Sequence, residues 1–83
     1  MYTYKELWKQ YKILSTNIKH YRQKKNLTQE QLAEIANIST SYIKQIESGK
    51  EIKNISLIYI IKIAKALDIP TEYLFKEPKT VNS

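Results

Sequence analysis

The sequence predicts an all-α fold: a compact five-helix domain with an additional helical segment at its N-terminus. Three observations carry this. One glycine and two prolines in 83 residues leave few helix breakers. Apolar residues recur at spacings of three and four along most of the chain, the period of an amphipathic helix. Ser or Thr stands just before several of these runs, where a hydroxyl accepts from the backbone N–H groups that a helix start leaves unpaired. Eighty-three residues form one domain with a single modest core. With no cysteine, neither disulfides nor thiolate metal sites are available.

Residues 1–14 read as an N-terminal amphipathic helical extension. Tyr4, Leu7, Trp8, Tyr11 and Leu14 form its apolar stripe, and Lys5, Lys9 and Lys12 fall mostly on other faces. Three roles fit: packing back on the domain, a dimer contact, or a membrane-surface helix. Leu7, Tyr11, Leu14, Ile18 and Tyr21 keep the heptad-like spacing of a dimer seam. The stripe is short, which favours packing or dimerisation, with Trp8 and Tyr11 as contact candidates. Ser15-Thr16-Asn17 either breaks this helix, with Ser15 capping the next, or is run through. The domain proper spans 15–76, and 77–83 read as a frayed tail.

Ile18, Tyr21 and Arg22 lead the first helix of the domain, which ends in the basic run Arg22–Lys25 before Asn26. His20, the one histidine, has no second ligand-type residue beside it and reads as a surface or boundary residue. The central stretch, Gln29 to Glu47, is two short helical patterns joined by Asn37-Ile38-Ser39. Thr28 with Gln31 makes a capping box, and Leu27 with Leu32 a hydrophobic staple. Ser39 is the N-cap of the second helix, with Ile38 and Ile43 as its staple. Asn37 and Gly49 stand where each helix must end in the left-handed conformation. Two capped helices with so tight a turn should cross steeply, as a helix-turn-helix does.

Beyond a polar loop at Lys50–Asn54, Ile55 and Ser56 set a staple and cap for a strongly apolar helix running through Leu67. Its Leu57, Tyr59, Ile60, Ile61, Ile63, Ala64 and Leu67 wrap more than one face, which predicts central burial. Asp68 ends it, and Pro70 suits the start of a last helix, Thr71 to about Phe75. Ile69, Tyr73, Leu74 and Phe75 form a second apolar cluster there.

The net charge of +6 is uneven. Residues 1–25 hold seven Lys/Arg and one Glu, whereas later residues hold seven Lys and seven Asp/Glu. A basic surface attracts polyphosphate, although it also solvates a protein. No apolar run approaches membrane-spanning length and the N-terminus lacks a signal-peptide core, so a cytoplasmic location is expected. There is no cysteine nucleophile, phosphate-cradling glycine loop or acid–base cluster, so no enzyme is expected. Neither a cofactor, a metal nor a small-molecule ligand is evident.

Gln29, Leu32, Ala33, Ala36, Ile38, Ile43, Ile46 and Glu47 stand where the lambdoid phage repressor/Cro (XRE) family carries its helix-turn-helix signature. The chain resembles that family from about Ile18 to Phe75, through RQKKNLTQEQLAEIA, SYIKQIESGK and IIKIAKALDIPTEYLF. It departs at Asn37, where glycine is commonest, and in the segment Lys50–Ile55, which is about two residues longer than in many members. The resemblance implies a repressor-like DNA-binding domain in which Arg22 pairs with Glu47. It also implies that the helix at about 39–48 enters the major groove, with Thr40, Ser41, Lys44 and Gln45 reading base edges. Their chemistry fits: Gln pairs with adenine, Lys donates to guanine, and a Thr methyl touches a thymine methyl. Phosphate contacts are expected from Gln29, Ser39, Tyr42, Ser48, Lys50, Lys53 and Asn54, with Lys19 and Lys24 as further candidates, and partial burial is the alternative for Tyr42.

The expected function is that of a transcriptional regulator, a repressor, bound as a homodimer to a palindromic or pseudo-palindromic operator on double-stranded DNA. It would serve a phage, a mobile element or a restriction–modification system, and a controller of the last kind can activate as well as repress. The last helix often supplies the dimer contact in related proteins, so Ile69, Tyr73, Leu74 and Phe75 join Trp8 and Tyr11 as candidates. The chain ends about eight residues after Phe75, so regulation through concentration and cooperative binding is expected. The rival reading is an antitoxin-like or adaptor module that binds a partner protein through its apolar N- and C-terminal helices.

Overall fold

A computed structural model describes residues 3–52 and 54–78. Among these are four α-helices, one 3-10 helix and no strand. The α-helices are α1 (Tyr4–Lys24), α2 (Gln29–Ala36), α3 (Thr40–Ser48) and α4 (Leu57–Leu67), and the 3-10 helix spans Thr71–Phe75. The all-α class is as expected, but the count of five helices plus an extension is not. The N-terminal segment and the first helix of the domain are one rod of 21 residues, so the boundary expected after residue 14 falls inside it. The C-terminal element is a single 3-10 stretch of five residues.

Tertiary bonds explain why the rod does not break. Ser and Asn disfavour helix interiors because their side chains bond nearby backbone. Here both side chains are occupied elsewhere. Ser15 Oγ donates to the Ile46 carbonyl at 2.7 Å and lies 3.1 Å from that of Glu47. The Asn17 amide donates to the carbonyls of Leu74 and Lys76 at 3.0 and 2.7 Å, fastening the 3-10 helix to α1. The rod begins instead at Thr3, whose hydroxyl and backbone form a capping box with Glu6.

The other starts follow the sequence pattern. Thr28 and Gln31 form a capping box, and Ser39 and Ser56 each accept from the N–H three residues on. Asn37 is left-handed, with φ +59°, and the Ile38 N–H closes onto the Ala33 carbonyl at 2.9 Å. Gly49, Asn26 and Asp68 end the other helices in the same conformation.

Ile18, Leu32, Ile43, Ile46, Ile63, Leu67 and Leu74 are the large side chains buried at the centre. The apolar stripe of α1 divides: Tyr11 and Leu14 are buried, whereas Tyr4 and Leu7 are exposed. Two expectations are corrected here. Tyr11 and Leu74 are not free to form a dimer contact, because each is buried within the chain. Leu57 is exposed, since the apolar stripe of α4 overshoots the core by one turn; Ile58 beside it is exposed too.

Candidate nucleic-acid interface

Helix α3 is locked on one side and open on the other. Its inner side buries Ile43 and Ile46. At its end, Glu47 takes Arg22 in a two-pronged pair, Nε to Oε2 at 2.7 Å and Nη2 to Oε1 at 3.0 Å. Both side chains are nearly removed from solvent, at 10% and 3% exposed. The Gln29 amide donates to the same carboxylate at 3.0 Å, and Arg22 Nη1 donates to the Leu27 carbonyl at 2.7 Å. Thus α1, the turn after it, the first residue of α2 and the last turn of α3 converge on one satisfied charge pair. Desolvation offsets much of the attraction within such a pair, so its main effect is to fix orientation.

A second junction lies where α1 passes the end of α3. Ser15 bonds the last-turn carbonyls, and Gly49 is buried beside it. A Cβ on Gly49 would stand 3.2 Å from Ser15 Oγ and 3.1 Å from Lys12 Nζ, at a backbone φ of +61°. Close approach and left-handed geometry both require glycine there.

The outer side of α3 presents Ser41, Lys44, Gln45 and Ser48, all exposed, with Thr40 half-buried at its start. Their spacing of three and four puts them on one face. Among the described residues, no side-chain hydrogen bond or ion pair engages Ser41, Lys44 or Gln45. The side chains of these three residues therefore face solvent.

The expected phosphate contacts are placed less uniformly. Lys50 and Asn54 are exposed; Lys53 lies outside the described residues. Ser39 accepts the Tyr42 N–H, and Ser48 Oγ donates to the Gln45 carbonyl at 2.8 Å. Gln29 is half-buried with one amide N–H on Glu47, leaving the second available. Tyr42, a candidate for either partial burial or a backbone contact, is half-buried. Its ring meets Tyr59 edge-on at 4.8 Å, its N–H bonds Ser39, and its hydroxyl meets the backbone of Ser56. Burial pushes its phenol above the ordinary value of 10.0. Tyr42 thus joins α3 to the start of α4.

Of the remaining dimer candidates, Tyr73 and Phe75 are exposed, while Trp8 and Ile69 are half-buried. The sequence reading missed the tertiary roles of Ser15 and Asn17 and the Gln29–Glu47 bond. Ser15 had one signal: it falls four residues after Tyr11 and three before Ile18, in line with buried positions of α1.

A short helix, a left-handed turn and a second helix with an outward polar face define a helix-turn-helix unit. The chain belongs to the helix-turn-helix family HTH_3, whose model matches residues 18–74, and is of the XRE type. It is 43% identical over 56 residues to the control protein C.SmaI of Serratia marcescens, a match covering 68% of this chain and 64% of that protein. The chain therefore spans somewhat under two thirds of that relative's length. Its fold is similar to the restriction-modification controller protein C.AhdI from Aeromonas hydrophila, with a TM-score of 0.72 and 35% identity over 78% of this chain and 96% of that one. A hypothetical transcription factor, NHTF from Neisseria, superposes with a TM-score of 0.77 at 29% identity, over 83% and 77% of the two chains.

Proposed function

We propose that the protein is a sequence-specific double-stranded DNA-binding transcriptional regulator that inserts α3 into the major groove. The observation that carries this reading is the contrast within α3: an inner side fixed by Arg22, Glu47 and Gln29, and an outer row of unengaged Ser41, Lys44 and Gln45. In this geometry α3 presents the side chains near its N-terminus to base edges, and α2 crosses the backbone. The role is binding, carried out in the cytoplasm. No helix among the described residues is long and apolar enough to cross a membrane.

Two relatives are controllers by name, which favours control of restriction–modification genes as the setting. Repression is the simplest output, since a protein seated on an operator obstructs transcription through the same DNA. One small domain covers only a few base pairs, so the reading includes a homodimer on a palindromic or pseudo-palindromic operator. Exposed Tyr73 and Phe75 of the 3-10 helix, with Leu57 and Ile58 of α4, supply apolar surface for the second copy.

Selection of genomic fragments bound by the purified protein tests this directly. The expected product is one motif with two half-sites about one helical turn apart, occupied by two chains in sedimentation. Recovery of unrelated fragments, or a single chain on the selected site, would contradict the reading.

A further inference from the structure

The family match begins at Ile18 and α1 begins at Tyr4, so about four turns of helix precede the matched domain. One face of this extension continues the line of Ser15. Lys12, Trp8 and Lys5 lie three, four and three residues back along it, the spacing of a single helical face. Ser15 itself sits on the carbonyl end of α3. Lys12 Nζ stands beside Gly49 and lies 5.7 Å over the Trp8 ring, a cation–π contact that restrains it. Farther out, Tyr4, Lys5 and Trp8 line an open hollow of about 420 Å³ together with Lys50 and Glu51. Lys9 is turned elsewhere, 3.6 Å from Glu77. Three lysines and one glutamate are thus brought to the side of α1 that meets the end of α3.

We propose that this face of α1 is a second DNA-backbone contact, in which Lys5, Lys12 and Lys50 take phosphates flanking the segment that α3 reads. The proposal rests on the DNA-binding reading above. Duplex DNA is the occupant that the charge selects, because Lys5, Lys12 and Lys50 outnumber the one acidic residue of this face, Glu51. Continuity selects it too, since the basic face starts at the end of the helix proposed to lie in the groove. From Ser15 to Lys5 the rod advances about 15 Å, roughly four base pairs of duplex at about 3.4 Å each.

The test titrates wild type, Lys9→Ala and the double variant Lys5→Ala/Lys12→Ala against two duplexes at several salt concentrations. One duplex ends at the selected half-sites, and the other carries about five more base pairs on each side. All three substituted lysines are exposed, and circular dichroism melts of the variants check that the fold is kept. Wild type and Lys9→Ala should bind the longer duplex more tightly than the trimmed one, whereas the double variant, with Lys50 alone left on this face, should lose most of that preference. On the longer duplex its salt slope should fall by about 1.8, which is about tenfold less affinity lost between about 50 and 200 mM salt. A wild type indifferent to flanking DNA, or a double variant with the wild-type slope on the longer duplex, would overturn the proposal and leave this face to a protein partner. Sequence-selective binding without a flank effect would sink this inference alone. Wild type that selects no duplex at all would remove the regulator reading and this contact with it.

Discussion

Glu47 and Gln45 lie two residues apart on α3 and meet opposite environments. Glu47 accepts from Arg22 and Gln29 and is almost sealed from water; Gln45 stands in solvent with its amide unengaged. Both are polar, and composition does not separate them. Their difference is one of helical phase: Glu47 follows Ile43 and Ile46 toward α1, and Gln45 follows Ser41 outward. The lesson is a division of labour within one short helix. Inward polar groups are satisfied and set orientation, and outward ones are left open for the base-reading role proposed above.

The largest effect should come from breaking the inner side. Glu47→Ala leaves Arg22 buried without its counter-charge and should cost roughly 3–5 kcal/mol of stability, read from denaturant melts. Replacing both Arg22 and Glu47 by apolar residues of similar volume should recover much of that loss. A double replacement as damaging as the single one would show that the pair contributes far more than orientation.

Gly49→Ala perturbs the neighbouring junction. It forces a side chain into the left-handed region, at a cost of about 1–2 kcal/mol, and crowds Ser15 Oγ, which is already committed to two carbonyls. Thermal melts should register this loss. Melts unchanged from wild type would mean that α1 moves freely relative to α3.

The smallest effect concerns Tyr42, a candidate backbone contact that is half-buried against Tyr59. Its folded pKa is raised above 10.0 by burial. The stability this contributes is complete below the unfolded value and is lost as pH rises through the higher folded one. Tyr42→Phe should therefore show a shallower fall in Tm on the alkaline side than wild type. An identical fall would place the Tyr42 hydroxyl in solvent.

Local chemistry made much of this legible in the sequence. The hydroxyls of Thr28, Ser39 and Ser56 cap as their positions imply, and Asn37 takes the left-handed turn that only a few residue types tolerate. What escaped was long-range. Ser15 and Asn17 look like helix breakers until their partners, some 30 and 57 residues away, are known. The apolar stripe of α4 overshoots its core because sequence shows where a stripe runs and not where its cover stops; hence Leu57 is exposed. Leu74 was readable as apolar, yet its burial depends on where Asn17 fastens the 3-10 helix. The outer row of α3 was legible as a polar face, and its assignment to DNA came from the family resemblance.

The most direct test of the central claim compares Gln45→Ala with wild type on the selected operator and on duplexes carrying each single base change. Gln45→Ala should lose roughly 1–3 kcal/mol on the selected site, relax discrimination at one base position per half-site, and leave the melting temperature unchanged. A variant that keeps wild-type discrimination at every position, or that loses affinity only because it unfolds, would contradict the claim that the open side of α3 reads the sequence.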